Sequence, residues 1–270
     1  MKATVLIDNI APKGLKDEWG LCVHIEHEGK NILLDTGAGR TFKENAKKLG
    51  VDISEVDYGV ISHAHFDHAD GLEVFFNSNA DAKVYIRKSC EENCYARRLC
   101  FAKYIGIKKG ILTKFGKRIE KVDSDVEITK GVYLISHKTE NLSEKGKKAG
   151  MYRKENGKWV PDDFSHEQSL VVKTQKGLVI FNSCCHGGAD NIINEVAKTF
   201  PNEKIYALVG GFHLYMSSDS EVQKLAQKIE ETGISLIYTG HCTGEKAFRI
   251  LFEKLGDKCK QLYVGCVIEA

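Results

Sequence analysis

His63-Ala64-His65-Phe66-Asp67-His68 follows directly on Tyr58–Ser62, a short apolar run that reads as a strand. Residues two apart on an extended chain point to the same side, so His63 and His65 can grip one cation together as they leave that strand. If the chain then turns, Asp67 and His68 face a second cation beside the first. Imidazole and carboxylate donors together suit zinc, iron or manganese. Two histidines do not complete a metal site, so further donors are expected at other strand ends. Three histidines stand there: His186 beyond Leu178–Asn182, His213 beyond Lys204–Val209 and Gly210-Gly211, and His241 beyond Ile234–Thr239. Loops at the ends of α/β strands are where ligand-binding side chains collect. His213 has a second reading, as a residue that touches substrate, because neighbouring glycines let backbone approach a ligand closely. Asp35, in Asp35-Thr36-Gly37-Ala38-Gly39, is suited to accept the free N–H of a ligating imidazole and fix its tautomer.

Outward from these motifs the chain reads as strands, helix, strand, a middle segment, then strands, helix, strand, helix, strand. Thr4–Asn9 is apolar and β-branched, and Leu21–Glu28 and Asn31–Asp35 flank the Gly29-Lys30 turn as a hairpin. Thr41-Phe42-Lys43-Glu44 and Ser218-Asp219-Ser220-Glu221 have the spacing of capping boxes, opening helices that stop at Gly50 and Gly233. Ser169–Lys173 and Leu178–Asn182 form a second hairpin around Lys176-Gly177. Asn191–Thr199 and Glu245–Leu255 read as helices and Leu262–Ile268 as a closing strand. Two similar halves, each a hairpin followed by strand–helix units, predict a layered α/β fold.

With 270 residues, 42% of them hydrophobic and 28% charged, the chain has the make-up of a globular protein and not of a disordered or fibrous one. Its net charge of +2 excludes a global attraction to polyanions. The apolar run at the start meets Asp8 too early for a signal peptide, and no stretch approaches the ~20 apolar residues of a membrane helix. Nine cysteines without an export signal predict reduced thiols in a cytoplasmic protein.

The charge is nevertheless segregated. Lys83–Lys121 carries twelve Lys/Arg against Glu91, Glu92 and Glu120, a net +9. Near a metal site such a segment suits a small phosphorylated substrate; a solvated surface is the other reading. Nucleic acid is the weaker reading, because Tyr95, Phe101, Tyr104 and Phe115 at helix-like spacing suit a core. Cys90 and Cys94 would share a helix face, but with Cys100 they match no familiar zinc or cluster spacing.

Asp35, His63/His65/Asp67/His68, His186 and His241, in this order and at these strand ends, resemble the motif series of the metallo-β-lactamase-fold metallohydrolases over residues 31–243. Glu167-Gln168-Ser169-Leu170, Cys185-His186, Gly210-Gly211-Phe212-His213-Leu214 and His241-Cys242-Thr243-Gly244 resemble one subgroup of that family. The subgroup includes the synthase that joins 7,8-dihydropterin pyrophosphate to a ribofuranosyl-aminobenzene phosphate. The resemblance implies a four-layer αβ/βα sandwich, a single domain over 1–270 with an insertion over about 83–165. It implies one or two divalent metals, zinc first and iron or manganese as alternatives. His63, His65 and His186 would hold one, and Asp67, His68 and His241 the other.

The implied activity is metal-dependent hydrolysis of a phosphorylated small molecule or phosphodiester by a water acidified between the metals, with the synthase reaction as the alternative. Asp67 and His213 are the catalytic candidates beyond metal binding, and Asp35 supports the ligands. One departure stands out. The family usually bridges its two metals with an acidic residue at a strand end between the third and last histidine, and here that strand end is Gly210-Gly211. His213 is one substitute, a water or substrate oxygen alone the second and a single-metal site the third outcome; Asp190, in the turn or helix after His186, is the weaker stand-in. Oxygen- and nitric-oxide-reducing members tend to carry Glu where His65 stands, which argues against a di-iron oxidoreductase.

Overall fold

The structure is a computed structural model that describes residues 1–270. It is a four-layer αβ/βα sandwich. One seven-stranded sheet runs Val267–Glu269, Lys2–Ile7, Cys22–His27, Lys30–Leu34, Tyr58–Val60, Lys83–Arg87, Ile119–Val122 in spatial order. The other runs Cys259–Gln261, Leu236–Thr239, Ile205–Gly210, Gly177–Phe181, Gln168–Thr174, Val132–Ser136, Val126–Thr129. Both sheets begin antiparallel and become parallel where strand–helix units replace hairpins.

Alternating side chains of the same strands build different layers. Ile32, Leu34, Val179 and Phe181 join the core between the sheets. Leu33 faces the outer core with Phe42, Ala46 and Phe75, and Ile180 faces the opposite outer core with Ile192, Val222 and Leu251. A strand buried on both faces needs apolar residues on both, which is why these runs are continuously hydrophobic. Cys22 is therefore buried under the outer helices.

Two local expectations are corrected. Thr41–Lys48 is a helix, but Arg40 is its N-cap and no side chain caps it; the Ser218–Glu221 box does form, on the helix Asp219–Glu231. The closing segment is two short strands, Cys259–Gln261 and Val267–Glu269, with the loop between them crossing from one sheet to the other.

Residues 83–165, expected as an insertion, supply strands to all three sheets of the molecule. Lys83–Arg87 and Ile119–Val122 lie in the first, and Val126–Thr129 and Val132–Ser136 in the second. A third sheet of four strands, Lys158–Pro161, Met151–Glu155, Tyr95–Arg98 and Phe101–Tyr104, stands apart. Cys90 and Cys94 sit in turns before this hairpin rather than on a helix face. Phe101 is 77% exposed at its tip, so the aromatic spacing there is that of strands and not of a helical core. No helix is long and apolar enough to cross a membrane.

Candidate metal centre

Five strands end at one edge of the sandwich. Lys30–Leu34 delivers Asp35, Tyr58–Val60 delivers the His63–His68 turn, Gly177–Phe181 leads to His186, Ile205–Gly210 to His213, and Leu236–Thr239 to His241. Four residues there hold left-handed backbone: Asp35 (φ 58°), Cys185 (φ 47°), His213 (φ 50°) and His241 (φ 44°). Non-glycine residues adopt this conformation at a cost of roughly 1 kcal/mol or more, and such strain gathers where side-chain direction matters.

The seven candidate donors and supports converge. The donor atoms of His63, His65 and His186 lie within 4.8 Å of one another, and so do those of Asp67, His68 and His241. All of these residues are buried. Nε2 of His63, of His65 and of His186 is buried without a hydrogen-bond partner. Three neutral ring nitrogens left unpaired at one point is a costly arrangement that a cation relieves. In the second group His68 Nε2 stands 3.2 Å from His241 Nε2, with Asp67 Oδ2 at 3.8 and 3.6 Å from them.

Hydrogen bonds set the tautomers. Asp35 Oδ2 accepts from His68 Nδ1 at 2.8 Å and from Ser62 Oγ at 2.7 Å, while Asp35 Oδ1 accepts from the Ser62 N–H. Ser62 Oγ, having donated its proton to Asp35, accepts from His63 Nδ1 at 2.8 Å. One buried carboxylate thus turns the Nε2 lone pairs of two imidazoles inward. Asn9 Oδ1 does the same for His241 through Nδ1 at 3.2 Å, and Asp8 Oδ2 accepts from the His241 N–H at 3.0 Å. Burial and mutual repulsion hold His63 and His186 well below the usual imidazole range, and His65 and His241 are pushed to about 3. Burial raises the Asp67 carboxyl, but attraction to His68, His241 and His65 outweighs it and leaves the pKa lowered. Neutral imidazoles and an ionised carboxylate are the forms that bind metal.

The His186 loop is fixed from behind. Glu167 Oε1 accepts from the His186 N–H at 3.1 Å, and Phe164 stacks on the His186 ring at 4.4 Å. His137 bridges Glu167 and Glu195; burial lowers its pKa, the two carboxylates outweigh that, and it rises to about 9. On the other side, Ala64 N–H donates to His166 Nδ1 at 3.2 Å. That leaves the His166 proton on Nε2, facing Asp162 at 3.2 Å, so His166 presents no free lone pair to a cation although it sits beside His65 and Cys94.

His213 lines the cavity, its ring 4.7 Å from that of His186, but it belongs to neither donor group. Gly210-Gly211 brings no side chain to the centre. Asp190 is on the helix Ala189–Thr199 and pairs with Lys228 at 3.2 Å. Trp19, Tyr215, Ala96, Ile105 and Met151 complete the cavity wall, which encloses about 140 Å³. Larger hollows, about 890 Å³ around Glu28 and Lys173 and about 790 Å³ around Arg40 and Asp52, contain none of the candidate residues.

The basic segment divides. Lys83, Lys88, Lys108 and Lys114 pair with Glu120, Asp123 and Glu73, and Arg118 is tied to the carbonyls of Phe76, Asn79 and Ala82. Arg97 stacks on Trp159. Arg98 stays open and exposed, close enough for its charge to act on the Tyr215 phenol at the cavity wall.

Sequence reasoning missed Asp8, Asn9, Ser62 and Trp19. Ser62 stands beside a motif histidine and a rule that every ligating imidazole needs a hydrogen-bond acceptor would have found it. Asp8 and Asn9 lie more than 230 residues from His241 and carry no spacing signal.

The description "Metallo-beta-lactamase superfamily" matches residues 20–149. A 7,8-dihydropterin-6-methyl-4-(beta-D-ribofuranosyl)-aminobenzene-5'-phosphate synthase of Methanocaldococcus jannaschii is 28% identical over 260 residues, 92% of this chain and 87% of its own. The crystal structure of a metal-dependent hydrolase of the beta-lactamase superfamily superposes with a TM-score of 0.85 at 33% identity, over 100% of this chain and 99% of the other. Zn(2+)-bound PqqB from Methylobacterium extorquens, at 10% identity and a TM-score of 0.60 over 100% of both chains, shares the fold.

Proposed function

The chain belongs to the metallo-β-lactamase superfamily, and from that premise we propose that it is a metal-dependent hydrolase of phosphate esters or phosphodiesters of small molecules. The observation that carries this reading is the pair of donor groups, with three orphaned Nε2 atoms, lining one cavity. His63, His65 and His186 would hold one divalent cation, zinc in the first instance, and Asp67, His68 and His241 a second. When bound, such cations supply an acidified water and polarise a phosphoryl oxygen. Asp67, held ionised by the imidazoles around it, would orient the attacking water or accept its proton at a carboxylate oxygen. Asp35, Ser62 and Asn9 keep the imidazole lone pairs aimed inward without moving during reaction. His213, neutral through burial, donates a ring N–H to a substrate oxygen beside His186. Arg98, whose charge reaches Tyr215 on the cavity wall, attracts the anion, and the apolar wall of Trp19, Ile105 and Met151 excludes bulk water.

The synthase reaction is the second reading, favoured by the 28% identity that extends over nearly the whole chain. It would use the same centre to assist loss of pyrophosphate and formation of a C–N bond. The cavity beside the donor groups encloses about 140 Å³ and opens to solvent, so a substrate would place its phosphoryl group there and extend outward. The deciding assay offers the zinc- or manganese-loaded protein a generic aryl phosphodiester and, separately, dihydropterin pyrophosphate with an aryl-ribose phosphate. Turnover of the diester alone is the expected result. Product formed only when both synthase substrates are present would replace the hydrolase reading with the synthase one.

A further inference from the structure

Resting on the metal-dependent reading above, we infer that Cys184 is a thiolate ligand of the centre, standing between the two donor groups where the family's bridging acid is missing. Its Sγ lies 3.3 Å from His68 Nε2. It forms one close donor group with His63 and His68 and another with His241 and Cys242, so it touches members of both candidate cation sites. His63 Nε2, in the same cluster, is buried and unpartnered.

Space and charge agree with this placement. A Cβ on Gly210 would meet the Asn182 carbonyl oxygen at 1.9 Å, and one on Gly211 would meet Cys242 Sγ at 2.5 Å. No acidic side chain fits at that strand end, because thiols and backbone already fill the volume. Two divalent cations held by these groups would face five neutral imidazoles and one carboxylate, Asp67; a thiolate adds the second negative charge that a bridging acid would bring. His68 Nδ1 faces Asp35 at 2.8 Å, and its Nε2 stands against Cys184 Sγ. As a ligand Cys184 would be a thiolate, its proton released to water. Cys242 is engaged differently: its Sγ accepts the His213 N–H at 3.3 Å and lies 3.5 Å from Cys184 Sγ. Cys185 packs into the outer helical core.

The test loads the metal-free full-length protein with cobalt(II), to wild type, Cys184→Ser and Cys242→Ser, and records the sulfur-to-cobalt charge-transfer band in the near ultraviolet. The band is expected in wild type and in Cys242→Ser and absent in Cys184→Ser, whose weaker cobalt site loses at least tenfold in affinity. Zinc X-ray absorption on the unmutated protein is the second measurement, needing no variant to fold: a sulfur neighbour at about 2.3 Å supports the assignment. Cobalt bound without a sulfur band, only nitrogen and oxygen neighbours around zinc, or a band lost in Cys242→Ser alone would overturn the Cys184 assignment while leaving the metal-dependent reading intact. A protein that takes up neither metal would overturn both.

Discussion

The two donor groups are held in different ways. His63, His65 and His186 present buried nitrogens with nothing to bond, while Asp67, His68 and His241 already face one another and the Cys184 thiol. The first group is neutral and unsatisfied by the protein alone; the second carries a carboxylate and is partly satisfied without any ion. On the proposed reading, the lesson is that one group would be a pure cation receptor, whereas the other would also orient water and protons. They are not independent, because Asp35 serves both, through Ser62 to His63 and directly to His68.

The comparison is broken most severely at the receptor. His65→Ala should lose bound metal and about a thousandfold or more of activity together, measured by metal content and kcat/KM on one preparation. Activity retained at wild-type level would remove His65 from the ligand set. Asp35→Asn should cost ten- to a hundredfold in metal affinity at both groups, whereas Asn9→Ala should weaken only the group containing His241. Competition with a chelator while each ion is counted separates the two patterns; equal losses from both variants would dissolve the distinction. His213→Ala should lower kcat about ten- to a hundredfold with metal content unchanged, since His213 stands outside both donor groups. Loss of an ion in that variant would make it a ligand.

Smaller effects sharpen the picture of the scaffold. His137 is raised to about 9 between Glu167 and Glu195, above its unfolded value of 6.5. A raised pKa means the folded state binds the extra proton, so its contribution is complete below pH 6.5 and fades as pH rises through 9. His137→Gln should therefore be less stable than wild type at pH 6, on the order of 2–3 kcal/mol, with the gap closing above pH 9 in denaturant titrations. A gap that is constant with pH would show that His137 acts by packing. Least of all, Arg98→Ala should raise KM for a phosphodiester about three- to tenfold and leave KM for a neutral ester unchanged. Equal changes would return Arg98 to the solvated surface.

The layered fold and the convergence of seven side chains were legible because each follows an apolar strand, and parallel strands end together at one edge. The middle of the chain was not legible in the same way. Ile119–Val122 is the edge strand of its sheet and Lys83 on the neighbouring strand pairs with Glu120, while Lys88, Lys108 and Lys114, outside both strands, pair with Asp123 and Glu73. Charge there left a binding segment and a solvated surface both open; Lys83, Lys88, Lys108 and Lys114 are paired locally, while Arg98, Lys103, Lys117 and Lys121 have no acidic partner. Asp8 and Asn9 were invisible for another reason: their contacts with His241 join residues far apart along the chain, and no periodicity records that meeting.

The central claim is that imidazoles from separate strand ends close on shared cations. A crystal of the metal-loaded protein, with diffraction recorded on both sides of the metal's absorption edge, tests it directly. The account predicts one anomalous peak enclosed by His63, His65 and His186 and a second by Asp67, His68 and His241. An anomalous map with no peak within bonding distance of these nitrogens would contradict it.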